Sequence, residues 1–445
     1  MSMSERKTVR IAFLVLALLG LTGARLQAQT GAASAHTPYS VFGVGDIIPE
    51  GTAYHKAMGG TGIASRNRKV VNYMNPAAVT ARDTLSFMVD FSLMQANKMY
   101  RQGDFKSGTN LTNFNDIVIS FPIYKSSAMM VGAAPYSGLG YEFSSYETDP
   151  SIIGQVGNVN KASAGSGGLY QIFIGGGVTF WKRLSLGAEY IHYFGKMQKA
   201  TTVTFTTAGY NGVNSGYEMI LRGNAAKFGL QYEQPVGRLT LGLGATCKLG
   251  ADLSGSATEY KISAGSLVSD TLRYNVNDFS KDKVRLAGEL GVGLSLRQGE
   301  RWRAEVDYTR SDWSRSGIDK VAGFANVSDK VFTATTAEAF RTGFEFIPNI
   351  NDVRYYMRRV SYKAGLYYTK EHFLLDGRSI QSAGATVGIT LPISNQNTRA
   401  NNGVSISMDI GQRGGLKAGQ VRERYIGFTI GLNAFDIWFV KNQYQ

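Results

Sequence analysis

The sequence has very little cysteine, little proline and only one long apolar run. A single cysteine, Cys247, among 445 residues excludes a disulfide framework and any cysteine-ligated zinc or iron–sulfur site. Nine prolines beside 24 tyrosines and 23 phenylalanines exclude a collagen-like or disordered chain, because such chains are poor in aromatic residues. A mean hydropathy of −0.13 excludes a bundle of membrane helices, but not a membrane β-barrel, in which only alternate residues face lipid.

The one apolar run lies at the N-terminus and has the order of a secretion signal. Residues 5–10 are charged, residues 11–19 are apolar, and small and polar residues follow up to Ala28. This order is typical of a signal peptide, and the run is shorter than the roughly 20 residues that a membrane helix needs. A buried N-terminal helix is the less favoured alternative. We therefore predict a signal peptide at 1–28 and a protein exported to the outer membrane of a Gram-negative bacterium.

The chain is basic, with 47 Lys and Arg against 33 Asp and Glu and a net charge of +14. An exported protein does not meet nucleic acid, so none is expected as a partner. The anions that a basic exported chain encounters are lipid headgroups, lipopolysaccharide phosphates and acidic partner proteins. We therefore expect contacts with the outer-membrane lipid and with other envelope proteins.

After the first eighty or so residues the sequence alternates with a period of two. Residues 239–249 read LTLGLGATCKL, with apolar residues on one face and small or polar residues on the other. The same pattern returns at 85–93, 284–297, 302–309 and 403–411. Such alternation predicts strands. All runs together predict about fourteen strands between 85 and 440, an even number, as bacterial outer-membrane barrels have, followed by a short tail at 441–445.

Short and long links alternate between these predicted strands. Short links fall at 125–127, 181–183, 235–237 and 298–300, and long ones at 94–114, 137–167, 195–223, 251–283 and 311–337. Tight periplasmic turns and long extracellular loops produce this sorting, whereas a β-sandwich, the alternative, has no reason for it. The predicted fold is all-β: a transmembrane antiparallel β-barrel of about fourteen strands.

Residues 29–84 precede the barrel and do not alternate. They contain AMGGTGIA at 57–64 and VNYMNPAAV at 71–79. This segment is either a periplasmic linker or a plug, since a barrel of this width needs something to fill it. The three glycines Gly59, Gly60 and Gly62 permit close backbone packing in a lumen.

An exported barrel preceded by such a segment resembles the FadL/TodX family of outer-membrane transporters. The matching residues are AMGGTGIA at 57–64 and the run Asn75, Pro76, Ala77 just before the first strand. The resemblance implies that residues 29–84 form a hatch inside the barrel and that these residues are its motif. It further implies passage of a hydrophobic small molecule, such as a long-chain fatty acid, around the hatch, without a cofactor and without catalysis.

The predicted lumen face departs from that family's apolar passage, because it is heavily charged. Opposite charges there would brace the barrel or grip the hatch, and they suit an alkyl chain poorly. The residues are Asp90, Glu189, Lys227, Glu233, Arg285, Glu289, Arg303, Glu305, Asp307, Arg341, Glu345, Lys363 and Asp409. A second role therefore stays open: an accessory FadL-like barrel subunit of a protein secretion (type IX) or outer-membrane barrel-assembly complex.

Basic residues also cluster on the short-turn side of the predicted barrel. The densest group is Arg358 and Arg359 beside Tyr355 and Tyr356, which makes a candidate periplasmic docking patch for an acidic partner. A solvated rim is the alternative, since charged turns are ordinary. The four histidines are scattered and no GxSxG motif occurs, so we expect neither a metal site nor an enzyme.

Overall fold

The computed structural model describes residues 36–82, 86–207, 209–264, 269–277, 279, 282–324, 332–393, 402–416 and 420–437. The predicted signal peptide at 1–28 and the predicted tail at 441–445 lie outside the described residues, as do both ends of the predicted hatch segment. No helix within these ranges is long and apolar enough to cross a membrane.

Fourteen antiparallel strands form one closed barrel, which confirms the predicted fold class. The strands are β1 Ser86–Gln102, β2 Phe105–Tyr124, β3 Ser127–Tyr146, β4 Val159–Phe180, β5 Leu184–Phe205, β6 Gly212–Val236, β7 Leu239–Lys248 with Ala251–Ala264, β8 Ser269–Asn277 with Arg285–Leu286 and Glu289–Gln298, β9 Trp302–Asp312, β10 Phe332–Ala334 with Thr336–Phe346, β11 Ser361–Leu375, β12 Arg378–Pro392, β13 Gly403–Arg413 and β14 Arg422–Ile437. The last strand pairs with the first from Arg422 opposite Arg101 to Ile437 opposite Ser86, so the sheet has no free edge.

Most strands are longer than the alternating pattern predicts. Strands β4, β5 and β6 have 22, 22 and 25 residues, whereas about 9–11 residues cross a membrane. The loops predicted at 94–114, 137–167, 195–223 and 251–283 are wrong, because strand pairing continues through most of each, and β1 and β2 are joined by residues 103–104 alone. Beyond the membrane both faces of a strand meet water, so the apolar alternation ends there although the backbone ladder does not.

The two faces of the wall differ as a membrane barrel requires. Outward residues such as Ile172, Ile174 and Leu243 are exposed, and they form the apolar belt that meets lipid. Inward residues such as Gln171 and Lys363 are buried. The lumen therefore contains a polar core, and something must cover those side chains.

The segment 36–82, here called the hatch, covers them. It contains the 3-10 helices Pro38–Val41 and Pro76–Thr80 and the short helix α1 Ala53–Lys56. Its two-residue strand Asp46–Ile47 pairs with Gly138 and Ser137 of β3. Two further short helices lie in links of the barrel: α2 Pro150–Val156 between β3 and β4, and the 3-10 helix Tyr356–Arg358 between β10 and β11.

Candidate functional site in the barrel lumen

The outer part of the hatch, residues 37–48, is sealed by aromatic rings. Phe42 stacks on Phe332 with ring centroids 5.4 Å apart and packs against Phe373 at 5.7 Å. Tyr39 lies over Phe373 at 6.3 Å. These rings are all buried. The outer half of the lumen therefore holds a packed apolar cluster and not an open apolar channel.

The link after β9 folds over the same cluster. Its residues Trp313, Ile318 and Phe324 are almost completely buried, and the backbone N–H of Gly43 donates to the Phe324 carbonyl oxygen at 3.3 Å. From the wall strand β5, the Lys199 ammonium also donates to the Val41 carbonyl oxygen at 2.8 Å. This link, residues 313–324, therefore acts as a cap that holds the outer hatch in place.

Below the rings, one ion-pair cluster joins the hatch to two strands, β11 and β13. The carboxylate of Asp46 pairs with the Arg413 guanidinium at 2.6 Å, and the same guanidinium lies 3.0 Å from the Glu371 carboxylate. Burial alone would raise the pKa of Asp46, but Arg413 lowers it below its ordinary value. The carboxylate is therefore ionised and bound to the wall.

The middle of the hatch, residues 50–63, is held by a second buried cluster. The Glu50 carboxylate pairs with the ammonium groups of Lys227 at 2.6 Å and Lys248 at 3.3 Å. Burial opposes ionisation of Glu50, but the two lysines outweigh it and lower its pKa to about 2. One hatch carboxylate thus forms ion pairs with two wall cations, one on β6 and one on β7.

His55 also lies in the middle part of the hatch, and its side chain is an uncharged base. Its Nδ1 lies 3.0 Å from the Thr52 hydroxyl, and the ring is buried. Burial, together with the positive charges of Arg303 and Lys363, lowers the pKa of His55 to about 3. At neutral pH this imidazole is therefore uncharged.

The three predicted hatch glycines lie directly against the wall. The backbone N–H of Gly59 donates to the Thr386 hydroxyl at 2.8 Å, and that of Gly62 donates to the Asp307 carboxylate at 2.7 Å. Gly59 and Gly60 have φ values of +69° and +79°, a region that favours glycine. A Cβ at Gly59 would lie 2.7 Å from the Thr342 carbonyl oxygen, so the backbone approach leaves no room for a side chain.

The predicted run Asn75, Pro76, Ala77 caps the last hatch helix and joins it to the wall. The Asn75 side-chain oxygen accepts from the Ala77 N–H at 3.0 Å, and its amide nitrogen donates to the carbonyl oxygens of Ile63 at 2.8 Å and Leu230 at 3.2 Å. Pro76 stands at the first helical position, where its missing N–H and fixed φ suit the helix start. Ala77 is buried. Asn75 therefore fixes a turn and a wall contact at once.

Sequence reasoning missed the complementary feature, a set of glycines on the inner face of the wall. A Cβ at Gly187 or Gly229 would overlap Pro76 and Asn75, and one at Gly244 or Gly365 would overlap the hatch backbone. The signal was visible in LTLGLGATCKL, where two glycines stand on the predicted inner face. Such glycines mark close backbone approach, and here they let the hatch lie on the wall.

The candidate docking patch lies in the link between β10 and β11, at the same end of the barrel as the turns β2–β3, β4–β5, β6–β7 and β8–β9. The guanidinium of Arg358 lies over the Tyr355 ring at 5.0 Å, and that of Arg359 over the Tyr356 ring at 5.1 Å. Arg358 also pairs with Asp352 at 3.3 Å. Val353 and Met357 are 82% and 61% exposed. The link thus projects apolar and cationic groups together from an ordered turn.

Within the described ranges, no three His, Cys, Asp or Glu side chains stand close enough to hold a metal ion. The carboxylates Asp46 and Glu50 of the hatch pair instead with cations of the wall. What this arrangement does chemically is to fix a peptide segment inside a barrel by many polar contacts.

This chain matches one family model and shares the fold of several solved outer-membrane barrels. A family model described as BamG matches residues 9–445. The Ralstonia pickettii toluene transporter TbuX is similar over 87% of this chain and 98% of its own, with 16% identity and a TM-score of 0.59. The monoaromatic hydrocarbon channel CymD covers 88% and 98% at 13% identity and a TM-score of 0.54.

A Pseudomonas aeruginosa FadL homologue covers 88% of this chain and 100% of its own, at 11% identity and a TM-score of 0.54. No curated protein matches the sequence. At these identities the likeness shows the fold alone: a FadL-type outer-membrane barrel. The FadL/TodX resemblance of the sequence holds at that level, while the family model that matches is a different one.

Proposed function

This chain belongs to the BamG family, and on that premise we propose that it is a plugged barrel subunit of an outer-membrane barrel-assembly complex. The observation that carries the proposal is the fixed hatch. Aromatic rings seal its outer part, Glu50 joins its middle to two wall lysines, and Asn75 joins its last helix to β6. Such a barrel offers partners a rigid platform with a closed lumen.

Passage of a ligand would require these contacts to break. Moving the middle hatch would leave the ammonium groups of Lys227 and Lys248 buried without Glu50. Breaking a buried ion pair in this way costs roughly 3–5 kcal/mol. The apolar cluster and the cap at 313–324 would have to separate as well. These costs favour a hatch that stays in place.

The docking patch supplies the surface that a subunit needs. Tyrosine, arginine and methionine are enriched at protein interfaces, and Tyr355, Tyr356, Met357 and Arg358 stand together and exposed on one turn. Three arginines within residues 354–359 select an acidic surface on the partner. The BamG family name supports a partner within the barrel-assembly machinery, although the name alone identifies no contact.

A second candidate function, a channel for hydrophobic small molecules, is supported by the FadL-type fold. The solved structures with that fold include the toluene transporter TbuX and the monoaromatic hydrocarbon channel CymD. This function would need a route past the outer aromatic cluster and a hatch that moves.

Native mass spectrometry of the full chain, extracted from its own outer membrane in mild detergent, separates the two functions. A complex with other envelope proteins in fixed ratio and without a bound hydrophobe supports the subunit. An isolated barrel that carries a releasable fatty acid or aromatic hydrocarbon contradicts it and supports the channel.

Charge reversal then tests the docking patch. We expect Arg358→Glu with Arg359→Glu to lower partner recovery at least tenfold, because a reversed pair repels an acidic surface. The matched control is Arg183→Glu with Arg238→Glu, which reverses two exposed charges on other short turns. Equal losses in both variants would contradict a specific patch, and heat-modified mobility on gels would report that each barrel folds.

A further inference from the structure

Two neighbouring strands of the barrel wall break at the same height. Strand β7 breaks after Lys248 and resumes at Ala251, and β8 breaks after Leu286 and resumes at Glu289. Lys248 pairs with Glu289 below the break, and Ala251 pairs with Leu286 above it. Residues 249–250 of β7 and 287–288 of β8 lie between these two pairs.

Across each break, the inward and outward positions of the strand are exchanged. Below the break Thr246 and Lys248 point inward, whereas above it Ala251 and Leu253 are the buried residues of β7. On β8, Leu290 is exposed below the break, and Arg285 is exposed above it while Leu286 is buried. The expectation that Arg285 faces the lumen is therefore wrong. A shift of one residue exchanges the faces of a strand, and here it puts a charged residue on the outside.

The break coincides with the outer edge of the membrane. The segments below it, Leu239–Lys248 and Glu289–Gln298, each have 10 residues, which is the length that crosses a bilayer. The outward residues change there from Leu249 and Leu290 to Arg285 and Asp252. An apolar surface that becomes charged within one residue step marks the level of the lipid headgroups.

A cavity of about 330 Å³ opens at this break. Leu249 and Leu290 line its apolar side, and Arg285, Arg315, Asp312 and Ser316 line its polar side. The Arg285 guanidinium rests against Gly250, where a Cβ would lie 2.6 Å from its Nε. The cavity therefore combines two exposed cations with an apolar surface that is continuous with the lipid-facing wall.

Most other charges at the cavity are already engaged. The Lys248 ammonium pairs with Glu50, and the Asp312 carboxylate accepts from the Ser314 N–H at 3.0 Å and its hydroxyl at 2.7 Å. Arg285 has a long contact of 3.6 Å to Asp252 and a long hydrogen bond of 3.5 Å to the Gly250 carbonyl oxygen. Arg315 is exposed, and its charge interacts with that of Asp312. Both guanidinium groups are exposed at the cavity, where an anion can reach them.

We propose that this cavity binds the phosphorylated headgroup of an outer-leaflet lipid, the lipid A part of lipopolysaccharide. Arg285 and Arg315 contact a phosphate, which guanidinium groups bind with two donors each. The acyl chains run along Leu249 and Leu290. The height of the site favours a lipid over a periplasmic protein, because the cavity opens at the headgroup level.

Native mass spectrometry of the full chain in detergent, titrated with bisphosphorylated lipid A and with its dephosphorylated form, tests the site. The proposal predicts stoichiometric binding that depends on the phosphates, and a loss of about tenfold or more in Arg285→Ala with Arg315→Ala, as expected for two lost charge-assisted hydrogen-bond partners. The matched control, Arg222→Ala with Arg424→Ala, removes two exposed arginines from other strands and keeps the affinity.

Three results would overturn the proposal: no lipid A binding by the unchanged chain, equal binding of the dephosphorylated form, or equal affinity in the Arg285/Arg315 double variant. Arg285→Lys with Arg315→Lys keeps the charge but loses the two-donor geometry, so intermediate binding is expected. The comparison of the two lipids uses the unchanged chain and stays decisive if a variant does not fold.

Discussion

The outer part of the hatch is held mainly by packed rings, with one ion pair at Asp46, whereas the middle part is held by buried ion pairs. Phe42 and Tyr39 of the outer part pack into a cluster of buried rings, whereas Glu50 of the middle part forms buried ion pairs with β6 and β7. Ring packing is strong but tolerates small shifts, whereas an ion pair inside a protein is satisfied in one arrangement only. The comparison indicates that rings close the lumen and that charges fix the register of the hatch.

Removing the middle carboxylate should have the largest effect. Glu50→Gln leaves two buried ammonium groups without their ion-pair partner, and we expect a loss of roughly 3–5 kcal/mol in the free energy of unfolding. The matched control is Glu300→Gln, which breaks the exposed hatch–wall pair with Lys69 at 2.7 Å and should cost about 0–1 kcal/mol. Urea unfolding in detergent measures both. Similar losses would show that burial of the Glu50 pair does not matter.

Removing one ring should loosen the outer part and spare the middle. Phe373→Ala deletes a fully buried ring that touches Tyr39 and Phe42, and such truncations cost about 3–5 kcal/mol. Hydrogen exchange should therefore rise in residues 39–45 and stay low in residues 50–63. Equal increases in both segments would mean that the hatch moves as one unit.

Acid should loosen the middle part of the hatch before the outer part. The folded-state pKa of His55 is about 3 against an ordinary 6.5, so the unfolded state binds a proton first and stability falls as the pH drops from 6.5 towards 3. Glu50, with a pKa of about 2 against 4.5, adds a loss below pH 4.5. Each group contributes at most about 1.4 kcal/mol per pH unit. Hydrogen exchange at pH 7 and pH 4 should show the middle hatch opening first, and earlier opening of residues 39–45 would contradict this.

A wall glycine offers the smallest and most local test. Gly431 and Gly427 stand on the same strand four residues apart, but a Cβ at Gly431 would lie 2.6 Å from the Ala53 Cβ, whereas one at Gly427 has no neighbour closer than 3.8 Å. We expect Gly431→Leu to cost about 1–3 kcal/mol by overpacking and Gly427→Leu to be tolerated. Thermal unfolding of both variants measures the difference. A cost at Gly427 as large as at Gly431 would show that hatch contact is not the cause.

The barrel was predictable from local pattern, since period-two runs such as 239–249 record a lipid side and a lumen side. The height of the wall was not predictable, because strands such as residues 195–205 of β5 lose that pattern where both faces meet water. The face changes on β7 and β8 were missed for a related reason, because a count of alternating residues does not reveal a two-residue break. The break on β8, between Leu286 and Glu289, reversed the expected side of Arg285.

The candidate site was predictable in its residues more than in its contacts. Asn75 and Gly59 were singled out from a family resemblance, but the partners Leu230 and Thr386 are more than 150 residues distant along the chain. Glu50, which pairs with two wall lysines, has no sequence signal, since a lone carboxylate in a polar segment looks like a solvated one. Only the closed barrel brings these charges together.

The most direct test of the fixed hatch is a reversible lock between hatch and wall. The hydroxyl oxygens of Thr80 and Thr179 lie 2.7 Å apart, so Thr80→Cys with Thr179→Cys, in a chain whose only native cysteine is changed by Cys247→Ser, places two thiols within disulfide reach. The account predicts the same partners in the same ratio for the oxidised and reduced chain, and no passage of a fluorescent fatty acid into vesicles in either state. Passage that appears on reduction and stops on oxidation would contradict it.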